Sequence, residues 1–308
     1  MAAKAAPAPG ERERSIAVPL RPAPRRGMVF NATPLPPRVA DALVLAAIAL
    51  LVFLVSFTFA NIGLGGGGLY VPILLLLWTD VRDRPDAEDF IVPVSLALAT
   101  ATAISSTLNH WRKGFVDVKI SRSLVPGALV GAVLGTTVTL DLLVAATFKV
   151  FFATVLFLLA CLLLYDWARG RKVDEDDASK MTTRRLAVSS AATLASGFFS
   201  GSAGVGGGVF NVPIIGYGLG RNTRTAVGTS SLIIIPTAVA GFLIFLARKG
   251  VPAEFSLISL LFPLALVGGY LGSRWGLQAL RTKSVALLFI GVVFLADALV
   301  VLDILGVL

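Results

Sequence analysis

The chain has 308 residues, 56% of them hydrophobic and only 15% charged, with a mean hydropathy of +0.84. Because the charges fall in a few short clusters, this composition excludes an ordinary soluble domain and defines an integral membrane protein. The net charge of +9 does not imply a nucleic-acid partner: residues 1–38 hold seven Lys/Arg against two Glu, and the remaining excess sits in loops, where anionic lipid and the cytoplasm favour it.

Residues 1–38 contain eight of the 16 prolines and no apolar periodicity, so they read as a disordered tail. They do not read as a signal peptide, because the first long apolar run starts only around Val39. From there the apolar runs divide into ten segments: 41–61, 67–79, 90–109, 123–140, 145–165, 186–202, 208–219, 226–246, 255–273 and 285–307. Five form a first membrane repeat, residues 39–165, and five a second, residues 186–308. Residues 166–185, with six Lys/Arg and five Asp/Glu, read as a soluble connecting loop. The single cysteine, Cys161, excludes an intramolecular disulfide or a cysteine metal site, and the single histidine, His110, excludes a histidine cluster. No metal or cofactor is expected.

Two glycine runs organise the chain. Gly63-Leu64-Gly65-Gly66-Gly67-Gly68-Leu69-Tyr70-Val71-Pro72 lies in a region without a charged residue from Ala42 to Thr79. At a spacing of 141 residues, Gly204-Val205-Gly206-Gly207-Gly208-Val209-Phe210-Asn211-Val212-Pro213 repeats four of its five glycines, its valine and its proline in register. Successive glycines each cost a helix interior about 1 kcal/mol relative to alanine, so the helix should break in each run. Pro72 and Pro213 belong in a first turn, which places the restarts near residues 68–70 and 209–211. The remainder of each segment, such as the 14 residues from Gly66 to Thr79, gives about 21 Å of helix, short of a hydrocarbon core of about 30 Å. Broken backbone at that depth is tolerated only against protein or a water-filled cavity, and the unpaired amides of a helix start can receive a small anion. The alternative is that the glycines only let helices approach closely.

The duplication continues in Pro126-x-x-x-x-Gly131-x-x-x-Gly135 against Pro263-x-x-x-x-Gly268-x-x-x-Gly272, where close helix contact is the favoured reading. If each glycine run makes either a re-entrant hairpin or two crossings, each half crosses the membrane an odd number of times. An all-α fold of two inverted repeats follows, each with a glycine-broken pair of half-length helices. Lys/Arg residues concentrate in loops 110–122, 166–185, 221–224 and 274–283, which puts the central loop in the cytoplasm and the termini outside, although the basic tail argues the opposite.

These motifs, with Ala226-Val227-Gly228-Thr229-Ser230-Ser231-Leu232 and Asn109-His110-Trp111-Arg112-Lys113-Gly114-Phe115-Val116-Asp117, resemble the sulfite exporter TauE/SafE family over about residues 40–308. The resemblance implies a permease of small sulfur-containing or organic anions, such as sulfite, sulfonates or thiosulfate, in the bacterial inner membrane. The first repeat departs from the second in having Phe90-Ile91-Val92-Pro93-Val94-Ser95-Leu96 where the second has the fuller polar run.

Candidate binding groups are the backbone of Gly63, Gly65, Gly66, Gly67, Gly68, Gly204, Gly206, Gly207 and Gly208, with Asn61, Ser202, Asn211, Thr229 and Ser230 as side-chain donors. The asparagines could instead cap broken backbone, and the hydroxyls could bond their own helices. His110 is a candidate for proton coupling, against a snorkelling interfacial cluster with Arg112 and Lys113. Asp297 interrupts an apolar segment and is the second coupling candidate. The leading function is a secondary carrier. Its competitors are an intramembrane serine protease using Ser200 or Ser202 with His110, and a non-transporting scaffold or assembly factor.

Overall fold

The computed structural model describes residues 39–78, 86–143, 145–169, 175–250, 255–279 and 283–306; the expected tail lies outside them. Among the described residues there are ten α-helices and no strand. They are α1 (Val39–Phe59), α2 (Gly67–Leu77), α3 (Glu88–Arg112), α4 (Val118–Leu142), α5 (Ala145–Arg169), α6 (Thr183–Ala203), α7 (Gly208–Pro213), α8 (Thr223–Lys249), α9 (Phe255–Ala279) and α10 (Lys283–Ile304). Each coincides with one of the ten apolar segments. Five of them, α1, α3, α4, α8 and α9, are long and apolar enough to cross a bilayer. Polar residues at the loop ends set the starts: Asp117 caps α4, Thr182 caps α6 and Asn222 caps α8, each accepting from amides of the first turn.

Both glycine runs break the helix. Gly63, Gly65 and Gly66 have φ of 73°, 74° and 82°, and Gly204, Gly206 and Gly207 have 69°, 84° and 67°. That left-handed backbone is routine for glycine alone. The restarts differ slightly from expectation, falling at Gly67 and Gly208, so that Pro72 and Pro213 are sixth in their helices and lie beyond the first turn. The left-handed glycine before each helix acts as its cap: the Gly66 and Gly207 carbonyls accept from the amides of Tyr70 and Asn211, both at 3.2 Å, before the proline is reached. Directly after Pro213 the helix widens into a π-turn over Ile214–Gly218, so the helical run continues without a gap.

Each short helix doubles back along its predecessor. Tyr70 Oη of α2 lies 2.7 Å from Ser56 Oγ of α1, and Ser196 Oγ of α6 donates to Asn211 Oδ1 of α7 at 2.7 Å. Further along, Gly218 faces Ser189, and the Asp177 amide donates to the Gly220 carbonyl at 2.7 Å, so α6 and α7 enter and leave the bundle at one end. Both pairs are helical hairpins, packed beside the longer helices α3, α4, α8 and α9.

The helix partners are preserved when the halves are exchanged. α1 packs on α9 as α6 packs on α4, α3 on α9 as α8 on α4, and the pairs α3/α8 and α5/α10 are each formed by equivalent helices. The Gly-x-x-x-Gly pairs are the contact points, as expected. A methyl built on Gly131 or Gly135 would lie 2.0 or 2.1 Å from the carbonyl oxygens of Leu194 and Phe198, and on Gly268 or Gly272 it would lie 2.6 or 1.9 Å from those of Phe53 and Phe57. Phe53 and Phe57 stand 141 positions before Leu194 and Phe198, the same spacing that separates the glycine runs.

Overpacking such a contact costs about 1–3 kcal/mol, so Gly135→Ala is expected to lower the melting temperature by several degrees. Gly291→Ala, where nothing lies within 4 Å, should leave it unchanged or raise it. Thermal unfolding of the two variants in detergent checks this, and equal stability would contradict the close contact.

Candidate functional site

The two breaks touch each other through corresponding atoms. A methyl on Gly67 would lie 2.0 Å from the Gly204 carbonyl oxygen, and one on Gly208 would lie 2.2 Å from the Gly63 carbonyl oxygen. Both positions therefore exclude any side chain. Two serines from the crossing helices complete the exchange: Ser95 Oγ of α3 donates to the Gly204 carbonyl at 2.9 Å, and Ser230 Oγ of α8 donates to the Gly63 carbonyl at 2.8 Å. Ser95 belongs to the stretch that the sequence marks as the less polar copy, where it is the one hydroxyl and stands opposite Ser231.

The backbone of each break carries free donors. Residues 64–68 and 205–209 are buried, and none of their amides has a hydrogen-bond acceptor among the described residues. A buried amide without a partner costs about 1–3 kcal/mol. The breaks are thus two runs of donors facing a protein interior, chemistry suited to a small anion.

The expected side-chain donors divide. Ser230 is committed to the Gly63 carbonyl, Ser202 Oγ donates to the Phe198 carbonyl at 2.7 Å, and Thr229 Oγ1 accepts from the Asp117 amide at 2.9 Å. Asn61 folds back on the last turn of α1, where its Nδ2 donates one hydrogen to the Phe57 carbonyl at 2.9 Å, and its buried Oδ1 has no partner among the described residues. The Asn211 side chain is buried beside Ser196, whose Oγ lies 2.7 Å from both Asn211 Oδ1 and the Gly207 carbonyl oxygen, so its single hydrogen serves one of the two. Ser200 Oγ is buried without a partner, and Ser200 Cβ lies 3.3 Å from where a Gly207 methyl would stand.

His110 is not part of a snorkelling cluster. Its ring is fully buried, packed against Phe115 at 6.5 Å between ring centroids and against the backbone at Gly228, while Trp111 and Arg112 are exposed. Burial follows from α8, whose glycine at position 228 lets the helix close over the imidazole. Neither ring nitrogen has a hydrogen-bond partner among the described residues. Neither Ser200 nor Ser202 bonds to it, so the nucleophile and base of a serine protease are not assembled. Asp297 is 7% exposed on the packed face of α10, with Oδ1 unpaired.

Ion pairs gather at the two ends of the bundle. At one end Arg221 pairs with Asp117 and with Asp176 of the central loop, and the amide of Asn222 donates to Asp176 at 2.7 Å. At the same end Lys113 Nζ donates to the Ser273 carbonyl at 3.1 Å, and burial with the nearby Arg274 and Arg224 holds the Lys113 ammonium below the usual lysine range. The basic loops of the sequence therefore share one end. At the opposite end of α8, Lys249 pairs with Asp89 at 2.6 Å and Arg248 with Asp141.

An all-helical membrane bundle whose two halves meet at paired, donor-rich helix breaks has the architecture of a membrane transporter. The family profile described as sulfite exporter TauE/SafE matches residues 48–298, and the chain belongs to that family. It is 28% identical over 238 residues to the "Probable membrane transporter protein YdhB" of Bacillus subtilis, covering 74% of this chain and 89% of the relative. It is 25% identical over 227 residues to the "Probable membrane transporter protein MJ0441" of Methanocaldococcus jannaschii, covering 73% and 81%. No solved structure matches the chain.

Arg221 ties three loops together, and its replacement should loosen the central one. Arg221→Gln is expected to speed tryptic cleavage after Lys180 by about threefold or more, with the membrane core intact. An unchanged cleavage rate would show that the loops hold without it.

Proposed function

We propose that the protein is a secondary carrier that moves a small sulfur-containing or organic anion, such as sulfite, a sulfonate or thiosulfate, across the bacterial inner membrane. The observation that supports this reading is the reciprocal contact of two buried breaks whose amides lack acceptors. Nothing in residues 186–219 supplies a cation, so the anion's charge is met by neutral donors only.

Two re-entrant hairpins with three further helices each give an odd number of crossings per half, so the halves face opposite sides and exchange roles. The ion pairs at the two ends of α8 then act as alternate latches: access from one side requires parting Arg221 from Asp117, and from the other parting Lys249 from Asp89. The end that gathers Arg221, Lys113 and Arg274 lies in the cytoplasm, with the central loop. Membership of a transporter family weighs against the protease reading, as does the Ser202 hydroxyl's bond to the Phe198 carbonyl.

Proteoliposomes containing the purified chain should take up sulfite or methanesulfonate with saturation, and Gly208→Ala, which drives a methyl into the Gly63 carbonyl, should reduce the rate by about tenfold or more. Uptake no faster than in empty vesicles for sulfite, methanesulfonate, thiosulfate and acetate would contradict the reading and favour a scaffold.

A further inference from the structure

The duplication places the same cationic pair at both ends of the bundle and neutralises it at only one. Counting 136 positions, Arg112-Lys113-Gly114 at the end of α3 corresponds to Arg248-Lys249-Gly250 at the end of α8. Arg248 pairs with Asp141, and Lys249 with Asp89 at 2.6 Å. The counterparts of those acids carry no charge: Asp89 corresponds to Thr225 and, at the spacing of 137 that relates Pro126 to Pro263, Asp141 corresponds to Gln278. Glu88 corresponds to a further cation, Arg224. Among the described residues Arg112, Lys113, Arg224 and Arg274 all lack a carboxylate partner, and Arg274 and Arg224 are close enough to Lys113 to act on it as like charges. The cluster is fixed in place: Lys113 Nζ donates to the Ser273 carbonyl at 3.1 Å, and Asn109 Nδ2 donates to Ser273 Oγ at 2.7 Å, which pins the end of α3 to α9.

Below these charges α3 turns an apolar stripe outward. Ile104, Leu108 and Trp111, at i, i+4 and i+7, are exposed, as is Trp275 next to Arg274. Exposed indoles beside cations sit at headgroup level in a bilayer.

We propose that Lys113, Arg224 and Arg274 bind the phosphate of an anionic phospholipid, in the leaflet on the side of the central loop, with an acyl chain lying along Leu108 and Ile104. The phosphate supplies the negative charge that Asp89 and Asp141 supply at the opposite end, and it ties α8 and α9 to the end of α3. A soluble anion would meet the same charges but make no use of the stripe beneath them. The assignment does not depend on which solute the protein carries.

The test is titration of the full-length protein in neutral detergent with dioleoyl phosphatidylglycerol, dioleoyl phosphatidylcholine and, separately, inorganic phosphate, read by native mass spectrometry for retained lipid and by melting temperature. Wild type should bind phosphatidylglycerol at least about tenfold more tightly than phosphatidylcholine and melt about 3 °C or more higher with it, whereas inorganic phosphate should leave the melting temperature unchanged. Lys113→Gln/Arg274→Gln should weaken phosphatidylglycerol binding about tenfold or more. Arg224→Gln/Arg274→Gln, which keeps the Lys113 hydrogen bond to the Ser273 carbonyl, should do the same and decides the matter if the first variant fails to fold. Arg184→Gln/Arg185→Gln, which removes two exposed cations from the start of α6, should leave binding within about twofold. Equal affinity for the two lipids, or an equal loss in the α6 variant, would reduce the site to diffuse surface charge and overturn it. Stabilisation by inorganic phosphate as large as that by phosphatidylglycerol at equal concentration would make the cluster a soluble-anion site and overturn the lipid assignment.

Discussion

Backbone meeting backbone at Gly67 against Gly204, and at Gly208 against Gly63, is the constraint on which the rest of the molecule depends. Among the described residues the amides of both breaks find no acceptor, and broken backbone of this kind persists only when its surroundings over-determine it. Here they do: Ser95 and Ser230 donate to the Gly204 and Gly63 carbonyls, and the Gly-x-x-x-Gly contacts press α4 on α6 and α9 on α1.

Backbone conformation repeats closely between the halves, because glycine at three left-handed positions per break leaves little choice. Side chains have no such obligation: Tyr70 Oη at the first break lies 2.7 Å from both Ser56 Oγ and Thr102 Oγ1, whereas Ser196 Oγ at the second lies 2.7 Å from the Gly207 carbonyl oxygen and from Asn211 Oδ1.

Much of the fold was legible in the residues. Segment limits, the two breaks, the close Gly-x-x-x-Gly contacts and the shared end of the basic loops follow from local backbone physics and from the cost of charge in lipid, and these do not depend on distant partners. What depends on the other half of the chain was not legible. His110 directly precedes exposed Trp111 and Arg112 in the sequence, yet it is buried because Gly228, on a different helix, permits close approach. Asn61 and Asn211 look alike in sequence, and only the fold decides that one bonds back to its own helix and the other lies against Ser196 of the helix before it. Ser200 and Ser196 could have been noticed by aligning the helix before each glycine run, where they oppose Phe59 and Val55.

Contact between the two interrupted hairpins is most directly tested by cryo-electron microscopy of the full-length protein in lipid nanodiscs with methanesulfonate added. The account predicts that both glycine runs are non-helical and pack on each other in the bundle interior, with density for the anion against the break amides. A continuous helix through either run, or two runs separated by an intervening helix, would contradict it.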